Sequence, residues 1–159
     1  LGLIINLIRM GVESNMEIRK ILSNELENAT YLVWRVFLEY EAPDYTQEGI
    51  DEFKKTINNI NWINERDFYG AFQDNNLLGV IATKDITHIA LFFVDGKYHK
   101  QGIGKSLYKK VESLNNLGCF TVNSSLYAHE IYKHLGFIDM DTLKCIHGIK
   151  FYPMRKELK

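Results

Sequence analysis

Residues Ile89, Ala90, Leu91, Phe92, Phe93 and Val94 form an unbroken apolar run of strand length, and a helical pattern opens soon after it. Such a run reads as a strand buried on both faces, which requires layers of structure above and below it. Ile103, Leu107, Val111 and Leu114 share one face of the helix that follows, and Gly118 stands where a C-terminal cap belongs. Between strand and helix lies Lys100-Gln101-Gly102-Ile103-Gly104-Lys105-Ser106. A chain with this feature has to place a sheet under helices, with a glycine turn at one junction.

The remaining elements follow from periodicity and punctuation. Residues 16–21 alternate as a first strand. Asn24 with Glu27 marks a helix start, and Leu26, Ala29, Val33, Val36, Phe37 and Tyr40 keep its apolar stripe. Glu41-Ala42-Pro43-Asp44 ends that helix; a second runs from about Thr46, with Ile50, Phe53 and Ile57 on one face. Residues 68–73 and 77–83 flank Asp74-Asn75-Asn76 as a hairpin. Residues 119–123 read as a strand, Ser125 caps a short helix closed by Gly136, and 137–146 and 149–154 read as a hairpin around His147-Gly148. The predicted fold class is therefore mixed α/β, with a largely antiparallel central sheet, flanking helices and one parallel crossover.

At 159 residues the chain fits one domain, taken as 16–159, with 1–15 an upstream extension. No apolar run approaches the ~20 residues that cross a bilayer. The net charge of -1 gives no electrostatic reason for a nucleic-acid or membrane partner. Cys119 and Cys145 lack metal-site spacing and read as buried free thiols in a reducing cytoplasm. His129 and His134 do not share a helix face, so no metal site is expected.

Glycines let backbone N–H groups approach a phosphate, and a helix N-terminus carries about +0.5 of effective charge. Lys100 and Lys105 add side-chain charge. Two better-known phosphate loops fail: a P-loop demands Gly at His99, and the dinucleotide fingerprint demands Gly at Leu107. On these residues alone, a simple strand-to-helix turn remains an equal reading.

A second segment bears on the choice. Ala128, Tyr132, Gly136 and Phe137 fit A-x-x-x-Y-x-x-x-G-F, and Gly102 and Gly104 fit [RQ]-x-x-G-x-[GA], with His99 departing from Arg or Gln. In that order the two patterns resemble the GNAT superfamily of N-acetyltransferases, and the element order agrees from Met16 onward. The resemblance implies a GNAT fold and acetyl-CoA (coenzyme A) as acyl donor. It places Lys100, Gln101, Gly102, Ile103, Gly104, Lys105 and Ser106 at the diphosphate, with His99 a weakened contact. It places the backbone of Phe92, Phe93 and Val94 along the pantetheine arm, with Ser125 and Ala128 beside it.

The resemblance also makes Tyr132 the donor that protonates the departing thiolate, a thiol of ordinary pKa ~8.5 leaving as an anion. His88 matches the position of a catalytic glutamate in histone-acetylating relatives, and an imidazole near ~6.5 suits a base. Glu39 and Glu41 stand in reserve. Read without the resemblance, Tyr132 is a core tyrosine with its hydroxyl satisfied and His88 a strand-end histidine with a structural hydrogen bond.

The implied acceptor is a primary amine of a small molecule or peptide, reached by direct attack. Tyr40, Glu41, Tyr45 and Tyr69 are its candidate contacts, aromatics and carboxylates suiting a cation; the same residues also read as core and rim. A homodimer through the C-terminal strands is allowed. Two other functions fit the same residues: a non-catalytic acyl-CoA sensor or regulatory module, and a nucleotide-binding protein using the same loop.

Overall fold

The computed structural model describes residues 16–159; the extension read over 1–15 lies outside the described residues. β1 (Met16–Lys20) leads through a short turn into α1 (Leu26–Tyr40). The expected pairing of Asn24 with Glu27 is not used. Glu25 instead accepts from the Leu22 N–H at 2.9 Å and is held by both ends of the Arg19 guanidinium at 2.8 Å. Ala29, Leu32, Val33, Val36 and Phe37 form the buried stripe of α1, and Pro43 opens the turn after it. α2 (Gln47–Ile57) starts from Thr46, whose hydroxyl accepts from the Gly49 N–H. α3 (Ile60–Asn64), capped by Asn59, is too short to leave a periodic signature.

β2 (Asp67–Gln73) and β3 (Asn76–Lys84) are joined by Asp74 and Asn75, both left-handed, with φ of 50° and 64°. That is the two-residue turn whose twist matches a hairpin. β4 (His88–Val94), α4 (Ile103–Leu114), β5 (Cys119–Ser124) and α5 (His129–His134) follow. The chain closes with β6 (Ile138–Asp139), β7 (Lys144–Ile146) and β8 (Ile149–Glu157). The single strand expected over 137–146 is thus interrupted. Asp141 accepts from the Thr142 N–H at 2.7 Å and pairs with Lys144 at 2.9 Å, a local turn that competes with the ladder. α4 ends at Asn115 rather than at Gly118, which bends the chain later with φ of 83°.

The sheet runs β1-β2-β3-β4-β5-β8-β6, with β7 on β8, and among the described residues every pairing but one is antiparallel. The exception is β4 with β5, joined only at His88–Thr121 and Ile89–Val122. A bulge at Ala90 shifts the register of β4 against β3 at the same level. Beyond Ile89 the two parallel strands part, and β5 continues beside β8 as far as the Ser124–Tyr152 pair. β4 is accordingly not buried throughout: Ile89, Leu91 and Phe93 are buried, whereas Ala90, Phe92 and Val94 are only half-buried.

Alternate side chains feed two cores. Val33, Phe37, Ile57 and Ile63 from the first three helices pack with Phe68, Val80, Leu91 and Phe93. Leu107, Tyr108, Val111 and Tyr132 from α4 and α5 pack with Ile81, Ile89, Phe120 and Phe137. No helix among the described residues is long and apolar enough to cross a membrane.

The β7–β8 turn, His147 and Gly148 with φ of 51° and 76°, rests on the first turn of α2. There the Gly148 carbonyl occupies the space a side chain on Gly49 would need. Gly49→Ala should therefore push hairpin and helix apart and cost about 1–3 kcal/mol of stability. Thermal melting checks this, and an unchanged midpoint would show that the two backbones do not meet.

Candidate active site

The turn after β4 is held from three sides. The Asp95 N–H donates to the Leu78 carbonyl at 2.9 Å. Its carboxylate accepts from the Lys97 N–H at 3.1 Å and from Arg35 of α1 at 2.6 Å. His99 turns back, and its Nε2–H donates to the Val94 carbonyl at 2.7 Å. The imidazole that replaces Arg or Gln thus closes the turn. Lys100 and Gly102 are both left-handed, with φ of 61° and 81°, and only the glycine adopts this without cost.

The first bond of α4 runs from the Ser106 N–H to the Gly102 carbonyl at 3.0 Å. The amides of Ile103, Gly104 and Lys105 precede it and so present free N–H groups at the helix end. Gly104 sits against the Phe92 ring, where a Cβ would stand 3.5 Å away, in ordinary contact. Free amides, a positive helix end and the exposed Lys100 and Lys105 are the donor set a diphosphate needs.

Where β4 and β5 part, a cavity of about 450 Å³ opens. Phe92, Phe93 and Val94 form one wall, and His99, Lys100, Gly102, Ile103, Gly104 and Lys105 form its mouth. Val36, Tyr40 and Glu41 enter from the end of α1, and Tyr127, Ala128, Ile131 and Tyr132 from the segment after β5.

Its interior chemistry centres on two groups. Ser125 donates its hydroxyl to Glu41 Oε1 at 2.7 Å and accepts from the Ala128 N–H at 3.1 Å, so capping the turn and holding the carboxyl are one role. Burial pushes the Glu41 carboxyl up to about 7; the Ser125 bond opposes this and the Asp44 charge adds to it. Burial, and then the charge of Glu41, push the Tyr132 phenol well above its usual range. Tyr40 packs its ring against His99 and Tyr127, with centroids 4.8 Å and 5.3 Å away.

Residues 41–158 match the family described as Acetyltransferase (GNAT) domain. The chain belongs to the GNAT acetyltransferase family. Solved structures agree in fold. A GCN5-related N-acetyltransferase from Rhodopseudomonas palustris is 18% identical, with a TM-score of 0.78 over 89% of this chain and 95% of that one. The PaiA N-acetyltransferase of Thermoplasma acidophilum, in complex with coenzyme A, is 21% identical, with a TM-score of 0.75 over 89% and 98%. The spermidine N-acetyltransferase of Vibrio cholerae, with CoA and spermine, is 14% identical, with a TM-score of 0.62 over 91% and 96%. No curated protein matches the sequence.

In this GNAT domain most of the expected site residues line one cavity, and several do not. His88 lies at the closed end of the fork, its Nδ1 2.9 Å from Thr121 Oγ1, and is absent from the cavity wall. Four residues of strand, roughly 13 Å, separate it from Phe92. Burial first, then the charges of Arg66 and Lys84, hold its imidazole below the usual range. Counting back from Gly102 fixes a depth along β4 but not which neighbour the ring meets. Tyr45 stacks on Phe37 at 5.4 Å in the first core, and Tyr69 packs against the second. Gln101 is exposed and bonds to the Lys97 carbonyl at 3.3 Å; the Ser106 hydroxyl bonds back to the Gly102 carbonyl at 3.1 Å. Neither side chain lines the cavity, and Ser125 reaches it only through Glu41.

Val36, Tyr98, Tyr127 and Ile131 line the cavity without having been singled out. Val36 is indistinguishable from its core stripe in a periodicity reading. Tyr127 precedes α5 and Ile131 lies within it; both are exposed apolar side chains on the segment the Tyr132 motif already marked.

A carboxyl whose folded pKa exceeds its unfolded value of 4.5 favours folding below 4.5, and this help fades as pH rises through 7. Glu41→Gln removes this half-buried charge. It should raise stability above pH 7 by up to about 3 kcal/mol and change little below pH 4.5. Melting curves at both extremes test this; equal effects at the two ends would place the carboxyl in water.

Proposed function

We propose that this GNAT domain transfers an acetyl group from acetyl-CoA to a primary amine of a small molecule or peptide, by direct attack with both substrates bound. The observation that carries the reading is the fork between β4 and β5, with free helix-end amides at its mouth and Tyr132 in its wall. Acetyl-CoA supplies a thioester carbonyl already activated towards an amine. The amides of Ile103, Gly104 and Lys105, with Lys100 and the Lys105 side chain, take the diphosphate. The backbone of Phe92, Phe93 and Val94, released from β5, offers edge groups to the pantetheine amides. Tyr132 then gives its proton to the sulfur as the carbon–sulfur bond breaks. The chain's similarity in fold to amine acetyltransferases supports an amine acceptor.

Direct transfer suits the lining, since neither cysteine lines the cavity and Ser125 is engaged with Glu41. Both cysteines are free thiols, which suits a cytoplasmic setting, but neither is buried as expected: Cys119 is half-buried on β5 and Cys145 is exposed on the edge strand β7. The test is thiol release from acetyl-CoA across a panel of primary amines. Tyr132→Phe should lower kcat by about 100-fold, the lower range for a positioned proton donor, and leave CoA affinity within a factor of about two. Turnover unchanged with the best amine would remove Tyr132 from the chemistry. CoA binding with no thiol release from any amine would point to a sensor.

A further inference from the structure

Attack by an amine needs a proton acceptor as well as a donor, since an ordinary alkylamine of pKa ~10.4 is almost wholly protonated at neutral pH. Candidates can be taken by position. His88 faces Thr121 outside the cavity. His99 stands with Lys100 and Lys105 at the mouth, its Nε2–H on the Val94 carbonyl. Glu39 is exposed and absent from the cavity wall. Lys100 and Lys105 line the mouth as cations. Among the described residues, the one carboxyl in the cavity wall belongs to Glu41.

Its surroundings suit a base. Ser125, itself 8% exposed and held by the Ala128 N–H, fixes Oε1. Among the described residues Oε2 has no hydrogen-bond partner. The groups facing it are Asp44 and Tyr45 from its own turn, Tyr40 from α1, and Tyr127 and Tyr132 from the segment after β5. No cation among the described residues acts on it appreciably, so its carboxylate is not neutralised by an ion pair.

We infer that Glu41 is the general base of the transfer, its Oε2 taking the proton shed by the amine nitrogen while Ser125 holds the carboxylate in place. The inference rests on the acyltransferase reading above. As the bond from nitrogen to the acyl carbon forms, the carbon–sulfur bond breaks and its electron pair leaves on sulfur. The N–H proton goes to Glu41, and the Tyr132 proton goes to sulfur. The proton on Glu41 then restores the Tyr132 phenol. The ammonium first gives one proton to water, so that the neutral amine attacks; the sum is ammonium plus thioester giving amide, thiol and one proton released to solvent, with both side chains returned to their starting forms. The elevated pKa of Glu41, about 7, leaves it roughly half ionised at neutral pH and basic enough to accept. Ser125 is a positioning residue: its hydroxyl stabilises the charged carboxylate.

The experiment follows kcat against pH for wild type, Glu41→Gln and Ser125→Ala, using acetyl-CoA and the best amine of a primary-amine panel. CoA affinity is measured in parallel by calorimetry. Wild type should show a limb in which kcat rises with pH through about 7. Glu41→Gln should lose that limb and at least about 100-fold in kcat, with CoA affinity within a factor of about two. Ser125→Ala should move the limb to higher pH, an effect that loosened packing alone would not produce. In the free protein, carbon NMR of the Glu41 carboxyl should report the same titration. A limb that survives Glu41→Gln with kcat intact overturns the base. So does a loss of turnover that merely follows a loss of CoA affinity. If wild type binds no CoA, the acyltransferase reading falls first and the base with it. If it binds CoA and releases thiol regardless of Glu41, the base falls alone.

Discussion

Two parallel residue pairs, His88 with Thr121 and Ile89 with Val122, join β4 to β5, and the site depends on their number being so small. A longer ladder would satisfy the backbone groups of Phe92, Phe93 and Val94 on that side and leave no opening. With the ladder cut short, those groups face a cavity, and each polar group buried without a partner would cost about 1–3 kcal/mol. His99 satisfies one of them, the Val94 carbonyl, from within the chain. The rest of that edge is available to an extended polar ligand. The bulge at Ala90 lies where the strands part, and an extra residue there bends β4 away from the plane it shares with β5.

Charge is distributed along the same axis. Lys100 and Lys105 sit beside free helix-end amides at the mouth, while Glu41 sits inside with tyrosines about it. An anionic carrier and a basic acceptor would thus be drawn to different parts of one cavity. The Arg35–Asp95 pair ties the end of α1, which carries Tyr40 and Glu41, to the turn that carries the amides. Asp95 is only 11% exposed at its side chain, so this contact is screened less than a surface pair. It keeps the two halves of the site in register.

Much of this was legible in the residues, for identifiable reasons. The strand-turn-helix around Gly102 combines an apolar run, a required left-handed residue and an amphipathic stripe, and three independent signals agree there. The Tyr132 segment carries a comparable set, ending in Gly136 with φ of 95°. What sequence could not supply was lateral pairing. His88 was placed correctly along its strand, but nothing in its neighbours shows that Thr121, 33 residues on, would meet its ring. Glu41 looked like a helix-end carboxylate. Its hydrogen-bond partner Ser125 lies 84 residues away, and no local pattern encodes that contact. The break over residues 140–143 was hidden because the apolar Met140 and Leu143 masked the Asp141 turn between them.

The central claim is that the fork receives the arm of an acyl carrier and delivers its sulfur to Tyr132. A crystal structure of the protein with acetyl-CoA tests this most directly. The account predicts the diphosphate on the amides of residues 103–105, the pantetheine paired with the edge of residues 92–94, and the sulfur within reach of the Tyr132 hydroxyl. A carrier bound elsewhere, or a fork still closed to it with Tyr132 turned into the core, would contradict the account.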